Sequence, residues 1–100
     1  MNSLSICIPR VFINISKTKI KSVFQNLNIG NIERIDTIYY NSKSSKFYRA
    51  FIHFNSLYNT KNSIKITNIL DNNDNDTSFK VIYDTPWFWK CSKSRVPKPK

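Results

Sequence analysis

The stretch that most constrains this chain is "FYRAFIHF", residues 47–54. Eight residues rich in aromatic and apolar types, with neither glycine nor proline, read as a β-strand. Successive side chains in a strand point to opposite faces. Phe47, Arg49, Phe51 and His53 therefore share one face, and Tyr48, Ala50, Ile52 and Phe54 share the other. The second set is the natural partner for helices. The first set leaves a sheet face that must be wetted, covered or bound.

The neighbouring segments follow from the same local rules. "LSICI", residues 4–8, alternates Leu4, Ile6 and Ile8 against Ser5 and Cys7 and predicts a first strand, with Pro9 expected to interrupt its ladder. Ser16 is placed to cap a helix over "SKTKIKSVFQNLN", whose Ile20, Val23, Phe24 and Leu27 form one apolar stripe. Gly30, the single glycine, follows that helix and is expected to supply a left-handed cap or turn. "NIERIDTIYY" predicts a second strand, with Ile35 and Tyr39 competing against Ile38 and Tyr40 for the inward face. "NTKNSIKITNIL", residues 59–70, predicts a second helix, "DNNDNDTS" an acidic loop, and "FKVIYD" a fourth strand closed by Pro86.

The order β-α-β-β-α-β predicts an α+β, ferredoxin-like fold: a four-stranded antiparallel sheet with two helices on one face. Residues 1–90 form the expected domain, including the aromatic extension "PWFW", and residues 91–100 a flexible basic tail.

Charge narrows the partners. The chain carries 16 Lys+Arg against 6 Asp+Glu, a formal +10 over 100 residues. AT-rich codon usage inflates lysine but does not account for so few acids, so a polyanion is the leading partner. No apolar run approaches the roughly 18–20 residues of a membrane span. "MNSLSICIPR" lacks the basic flank and apolar stretch of a secretory signal. An intracellular location, cytoplasm or nucleus, with Cys7 and Cys91 as reduced thiols, is the expectation. Two distant cysteines make no metal knuckle. A single histidine, scattered acids and the absence of a glycine-rich phosphate loop offer no nucleophile–base pair, so no enzyme, metal or cofactor is expected.

Residues 4–84 resemble an RNA recognition motif. "ICIPRV", residues 6–11, occupies the place of the family's first-strand motif, and "FYRAFIHF" that of its third-strand motif, where Ala50, Phe51, Ile52 and Phe54 match the expected types. The resemblance implies single-stranded RNA, in preference to DNA, stacked on aromatic residues of the open face. Two departures weaken that mode: Cys7 and Arg49 stand where two of the three stacking aromatics belong, and Tyr48 replaces a glycine. The ending "YD-x-PWFWK" is also similar to small proteins of large nucleocytoplasmic DNA viruses, which would add the virus factory or virion to the expected locations.

The candidate nucleic-acid contacts are therefore Phe47, Arg49, Phe51 and His53 on the sheet face, Lys43 and Lys46 in the connection before it, and Lys90, Lys93 and Arg95 near the end. A satisfied core or surface role is the commoner fate of a histidine such as His53. Trp87 and Trp89 have three readings: a lid over Cys7, Arg49 and Phe51, a direct stacking surface, or an anchor for a protein partner. The lid is the favoured reading, and free exposure of three large aromatics the least expected. A protein-docking or structural module, using the same face and the tryptophan segment, is the alternative function.

Overall fold

A computed structural model of the chain describes residues 4–40, 46–70 and 78–93. The expected α+β class holds, but the sheet has five strands. The elements are β1 (Leu4–Phe12), α1 (Lys17–Asn26), β2 (Gly30–Tyr39), β3 (Phe47–Leu57), α2 (Lys61–Leu70), β4 (Phe79–Asp84) and β5 (Trp87–Lys93). All pairings are antiparallel and the sheet order is β2-β3-β1-β5-β4. The four-stranded layout would set β4 beside β1; here β5 takes that position and β4 moves to the edge. The cause is local. "WFWK" has the aromatic content of a strand, and only Thr85 and Pro86, joined by a cis peptide bond, separate it from β4. The two segments close as a hairpin in which Val81 faces Trp89 and Ile82 faces Phe88.

The expected boundary at residue 91 is corrected by the same strand. Cys91 is fully buried in the core, and β5 continues to Lys93, which pairs with Ile6 of β1. A side chain this apolar in effect gains by burial, and the ladder to β1 holds the backbone beside it.

One core lies between the sheet and the two helices. Leu4, Ile6, Ile8 and Val11 of β1 meet Tyr48, Ala50, Ile52 and Phe54 of β3, the four residues expected to face the helices. Ile20 and Phe24 of α1, Ile66 and Leu70 of α2, and Val81, Trp89 and Cys91 of the hairpin complete it. Each such large side chain contributes roughly 1.5–3 kcal/mol on burial. The Tyr48 hydroxyl, deep in this layer, donates to the Ile15 carbonyl at 2.6 Å, which satisfies its polar end.

The helix ends explain the connections. Ser16 caps α1 by accepting from the Lys19 backbone N–H at 3.2 Å, as its position in the sequence predicts. Thr60 caps α2 by accepting from Ser63 N–H, and its own hydroxyl donates to the Asn28 carbonyl. Asn62 donates to the Leu27 carbonyl, so the end of α1 is tied to the start of α2. Asn28, with φ of 53°, is the left-handed residue after α1. Gly30 is therefore not the cap that its position suggests. It opens β2, and a Cβ there would lie 2.2 Å from the Ser56 carbonyl oxygen and 3.1 Å from Leu57 Cα. Close approach to β3 requires glycine here.

Pro9 does disturb β1, as expected, but the strand does not end there. The register with β3 shifts between Ile8 and Val11, the signature of a bulge, and β1 resumes to Phe12. The extra residue turns Val11 inward and Phe12 outward. In β2, Ile35 takes the inward face and packs against the core, while Ile38 points away and is exposed.

Candidate nucleic-acid interface

Residues directly opposite in an antiparallel ladder share a face, so the register defines what lies on the side away from the helices. Two rows cross β2, β3 and β1: Arg34, His53 and Ser5, then Asp36, Phe51 and Cys7; beyond them lie the pair Ile38 and Arg49 and the pair Phe47 and Phe12. Ser92 of β5 extends the row of Cys7.

The first row is joined to Asp36 of the second in one hydrogen-bonded chain. His53 Nε2 lies 2.9 Å from Asp36 Oδ2, and His53 Nδ1 lies 2.6 Å from Ser5 Oγ. Arg34 donates through Nε and Nη2 to Asp36 Oδ1 at 3.0 and 2.7 Å. Burial acts to raise the Asp36 pKa, but the Arg34 hydrogen bond and charge, followed by those of His53, outweigh it and hold the carboxyl below its ordinary value. An ionised carboxylate only accepts, so Nε2–H donates to it, and in the neutral ring Nδ1 accepts from the Ser5 hydroxyl. The order Ser–His–Asp matches that of a nucleophilic triad. Here, however, Ser5 is the second residue of β1, on a sheet face, and lines neither of the clefts described below. The chain's evident effect is to lock β1, β3 and β2 side by side.

His53 retains 2% of its surface and Phe51 6%. Both fall on the face expected for them, but neither is open to a base. Stacking needs a whole ring face, so the centre of this sheet face supplies none. Cys7, half-buried beside them, has its thiol pKa raised by burial and partly lowered again by Arg49. Burial raises that of Cys91 further. Both thiols are free. They lie on opposite faces of the sheet, since Cys7 pairs with Ser92 and Cys91 is its neighbour in the strand. That alternation keeps their Cβ atoms apart and agrees with the expectation of two thiols.

The accessible chemistry lies at the other end of the face. Arg49 Cζ sits 5.3 Å from the centre of the Tyr40 ring, and the Tyr40 hydroxyl donates to the Pro9 carbonyl. Phe12 packs on Phe47 with centroids 4.9 Å apart, and Trp87 meets Phe12 edge-on at 6.3 Å. Beside them the β4–β5 hairpin diverges from β1, and a cleft of about 490 Å³ opens between Pro9, Arg10, Phe12 and Phe47 on one side and Tyr83, Trp87, Phe88, Trp89 and Lys90 on the other. Trp87 is 57% exposed and Phe88 47%. Among the described residues no carboxylate lines this cleft.

Trp89 is not a lid. It is 2% exposed and belongs to the helix-side core, stacked on Tyr83 at 4.3 Å and parallel to Phe24 at 6.2 Å. Its parity, shared with buried Cys91, sends it away from Cys7 and Phe51. Trp87 reaches the Phe12 end of the face, not its centre. The exposure of Trp87 and Phe88 reverses the expectation that the tryptophan segment would be largely covered.

The other expected contacts divide in the same way. Phe47, Arg49, Lys90 and Trp87 gather at or near the cleft. Lys46 lies at that end too, its carbonyl accepting from Ile13 N–H at 3.0 Å. Lys93 pairs with inward-facing Ile6, so the structure places it on the helix side of the far end. Lys43 and Arg95, with most of the acidic loop, lie outside the described residues. Arg10, Phe12, Tyr40, Tyr83 and Phe88 were missed by the sequence reading. The available signal was Pro9, because a bulge there moves Phe12 onto the face that simple alternation denies it.

Among the described residues, no group of three His, Cys, Asp or Glu side chains could hold a metal ion, and no helix is long and apolar enough to cross a membrane. No family model, curated protein or solved structure matches the chain.

Proposed function

We propose that this protein binds single-stranded nucleic acid, RNA in preference to DNA, through the cleft between β1 and the β4–β5 hairpin. The observation that carries the reading is the cleft's composition: Phe12, Phe47, Tyr83, Trp87 and Phe88 with Arg10 and Lys90, and no acid among the described residues. Aromatic faces suit bases, cations suit the phosphates between them, and neither requires a particular sequence. The net charge of +10 supports the same partner. The resemblance to an RNA recognition motif contributes the preference for RNA, with the contact surface displaced from Phe51 to the bulged end of β1. An intracellular site of action accords with such a ligand.

The test is fluorescence anisotropy with a labelled ten-nucleotide RNA, its DNA counterpart and a salt series. Loss of one stacked base costs about 1–3 kcal/mol, so Trp87→Ala is expected to weaken binding about tenfold or more while circular dichroism stays unchanged. Contacts from Arg10, Arg49 and Lys90 predict a log–log salt slope of about −2. Binding that Trp87→Ala leaves intact and moderate salt abolishes would be charge alone, and the cleft reading would fail.

A second reading, docking of a protein partner on the same face, draws on exposed Ile38, Ile82, Trp87 and Phe88. It predicts that Ile38→Asp removes a partner and leaves RNA binding unchanged.

A further inference from the structure

A second concavity lies on the far side of the hairpin, away from Phe12 and Arg49. The sheet ends at β4, whose outer edge pairs with no strand among the described residues. Alongside that edge runs α2, and between them is a groove of about 780 Å³. Its apolar lining includes Leu27, Ile66 and Ile69 together with Phe79 and Val81 of the edge strand. Lys65, Lys80 and Lys90 supply its charge, and no Asp or Glu among the described residues lines it.

We propose that this groove takes an extended segment of a partner protein, alternating acidic and apolar residues, as a sixth strand on β4. An unpaired strand edge offers a row of backbone donors and acceptors, and an added strand takes its affinity from them and its specificity from alternate side chains. The alternation follows from β4 itself. Val81 and Phe79 point to the helix side, Val81 opposite Trp89 and Phe79 opposite Cys91, so incoming residues of that parity meet Ile66, Ile69 and Leu27. Lys80 points to the other side, opposite Lys90, so residues of the other parity meet two cations and favour carboxylates. The six residues of β4 span roughly 20 Å and set the length of the match.

The charges also choose among occupants. A second copy of β4 would bring its own Lys80 against Lys80, a like-charge pairing that opposes self-association. A nucleic acid would use the lysines but gains little from a floor of Leu27, Ile66, Ile69 and Val81, in which half-buried Phe79 is the one aromatic ring among the described residues. Among the described residues the groove shares only Lys90 with the cleft, and the proposal does not rest on RNA binding.

The test uses the whole chain, ¹⁵N-labelled, titrated with an eight-residue peptide of alternating Glu and Val. The expected result is shifts of the Phe79–Asp84 amides and binding weakened about fivefold by Lys80→Glu, an exposed change outside the core. Trp87→Ala is expected to leave peptide binding unchanged. Two further peptides carry N-methyl groups on alternate residues, one on each parity. Only alternate residues of an added strand direct N–H groups at the edge, so one version binds and the other does not. Absence of shifts at millimolar peptide, equal binding of the two methylated versions, or indifference to Lys80→Glu would overturn the proposal. Displacement of the peptide by the ten-nucleotide RNA, with the same Lys80 dependence, would also overturn it and make the groove a phosphate site.

Discussion

Replacing each tryptophan separately distinguishes core from interface within three consecutive residues. Trp89 has 2% of its surface exposed and stacks between Tyr83 and Phe24. A side chain of this size buries roughly 200 Å², which at about 25 cal/mol per Å² sets an upper bound near 5 kcal/mol. Trp89→Ala is expected to cost about 3–5 kcal/mol, since the cavity between Tyr83 and Phe24 closes only in part. Trp87, at 57% exposure, buries somewhat under half of its surface, roughly 80 Å² or about 2 kcal/mol at most. Trp89→Phe separates two opposing effects. It shortens the stack but also removes an indole N–H that is buried with no hydrogen-bond partner among the described residues, whose desolvation costs about 1–3 kcal/mol. The phenylalanine variant is therefore expected to lie much nearer the wild type than the alanine variant.

Urea denaturation followed by far-ultraviolet circular dichroism measures all three variants without depending on the indoles themselves. With a slope of about 1.5 kcal/mol per molar urea, Trp89→Ala shifts the midpoint down by about 2–3 M, and Trp87→Ala by about 1 M or less. Paired with RNA titration, the expected pattern is crossed: Trp89 controls stability and Trp87 controls binding. If Trp89→Ala kept its midpoint and lost RNA binding, the assignment of Trp89 to the core would be refuted.

Gly30→Ala tests why the one glycine is where it is. The added Cβ meets β3 backbone at 2.2 Å, so a loss of about 1–3 kcal/mol is expected, read as a fall of roughly 4–20 °C in Tm. Gly30→Asn is expected to be no better; relative tolerance of asparagine would instead point to a left-handed backbone. Asp36 predicts an acid limb in stability. Its folded pKa is below the unfolded value of about 3.9, so its contribution is present above that value and is lost as pH falls through the folded pKa. Midpoints measured from pH 6 down to pH 2 are expected to fall in that window, and Asp36→Asn to flatten the fall while lowering stability at neutral pH. A limb of unchanged depth in Asp36→Asn would assign it to other groups.

What could be read from the sequence is what depends on neighbours in the chain. The alternation of "FYRAFIHF" placed Tyr48, Ala50, Ile52 and Phe54 in the core, and the stripe from Ile20 to Leu27 with Ser16 before it located α1 and its cap. Strand and helix periods and hydrogen bonds to the next turn are local, so a short window contains them. Tertiary structure decided the rest. Nothing near His53 in sequence announces that Ser5 and Asp36, 48 and 17 residues away, complete its hydrogen bonds. Gly30 is required by a carbonyl of β3, not by its own turn. The two largest corrections share one physical origin. A side chain's face in a sheet is set by pairing with a distant strand, so the bulge at Pro9 reassigned Phe12, and the insertion of β5 beside β1 drew Trp89 into the core while leaving Trp87 at the mouth of the cleft. The chain's charge and aromatic content underlie the proposal of a nucleic-acid partner; which of those aromatics stand exposed is determined by strand order.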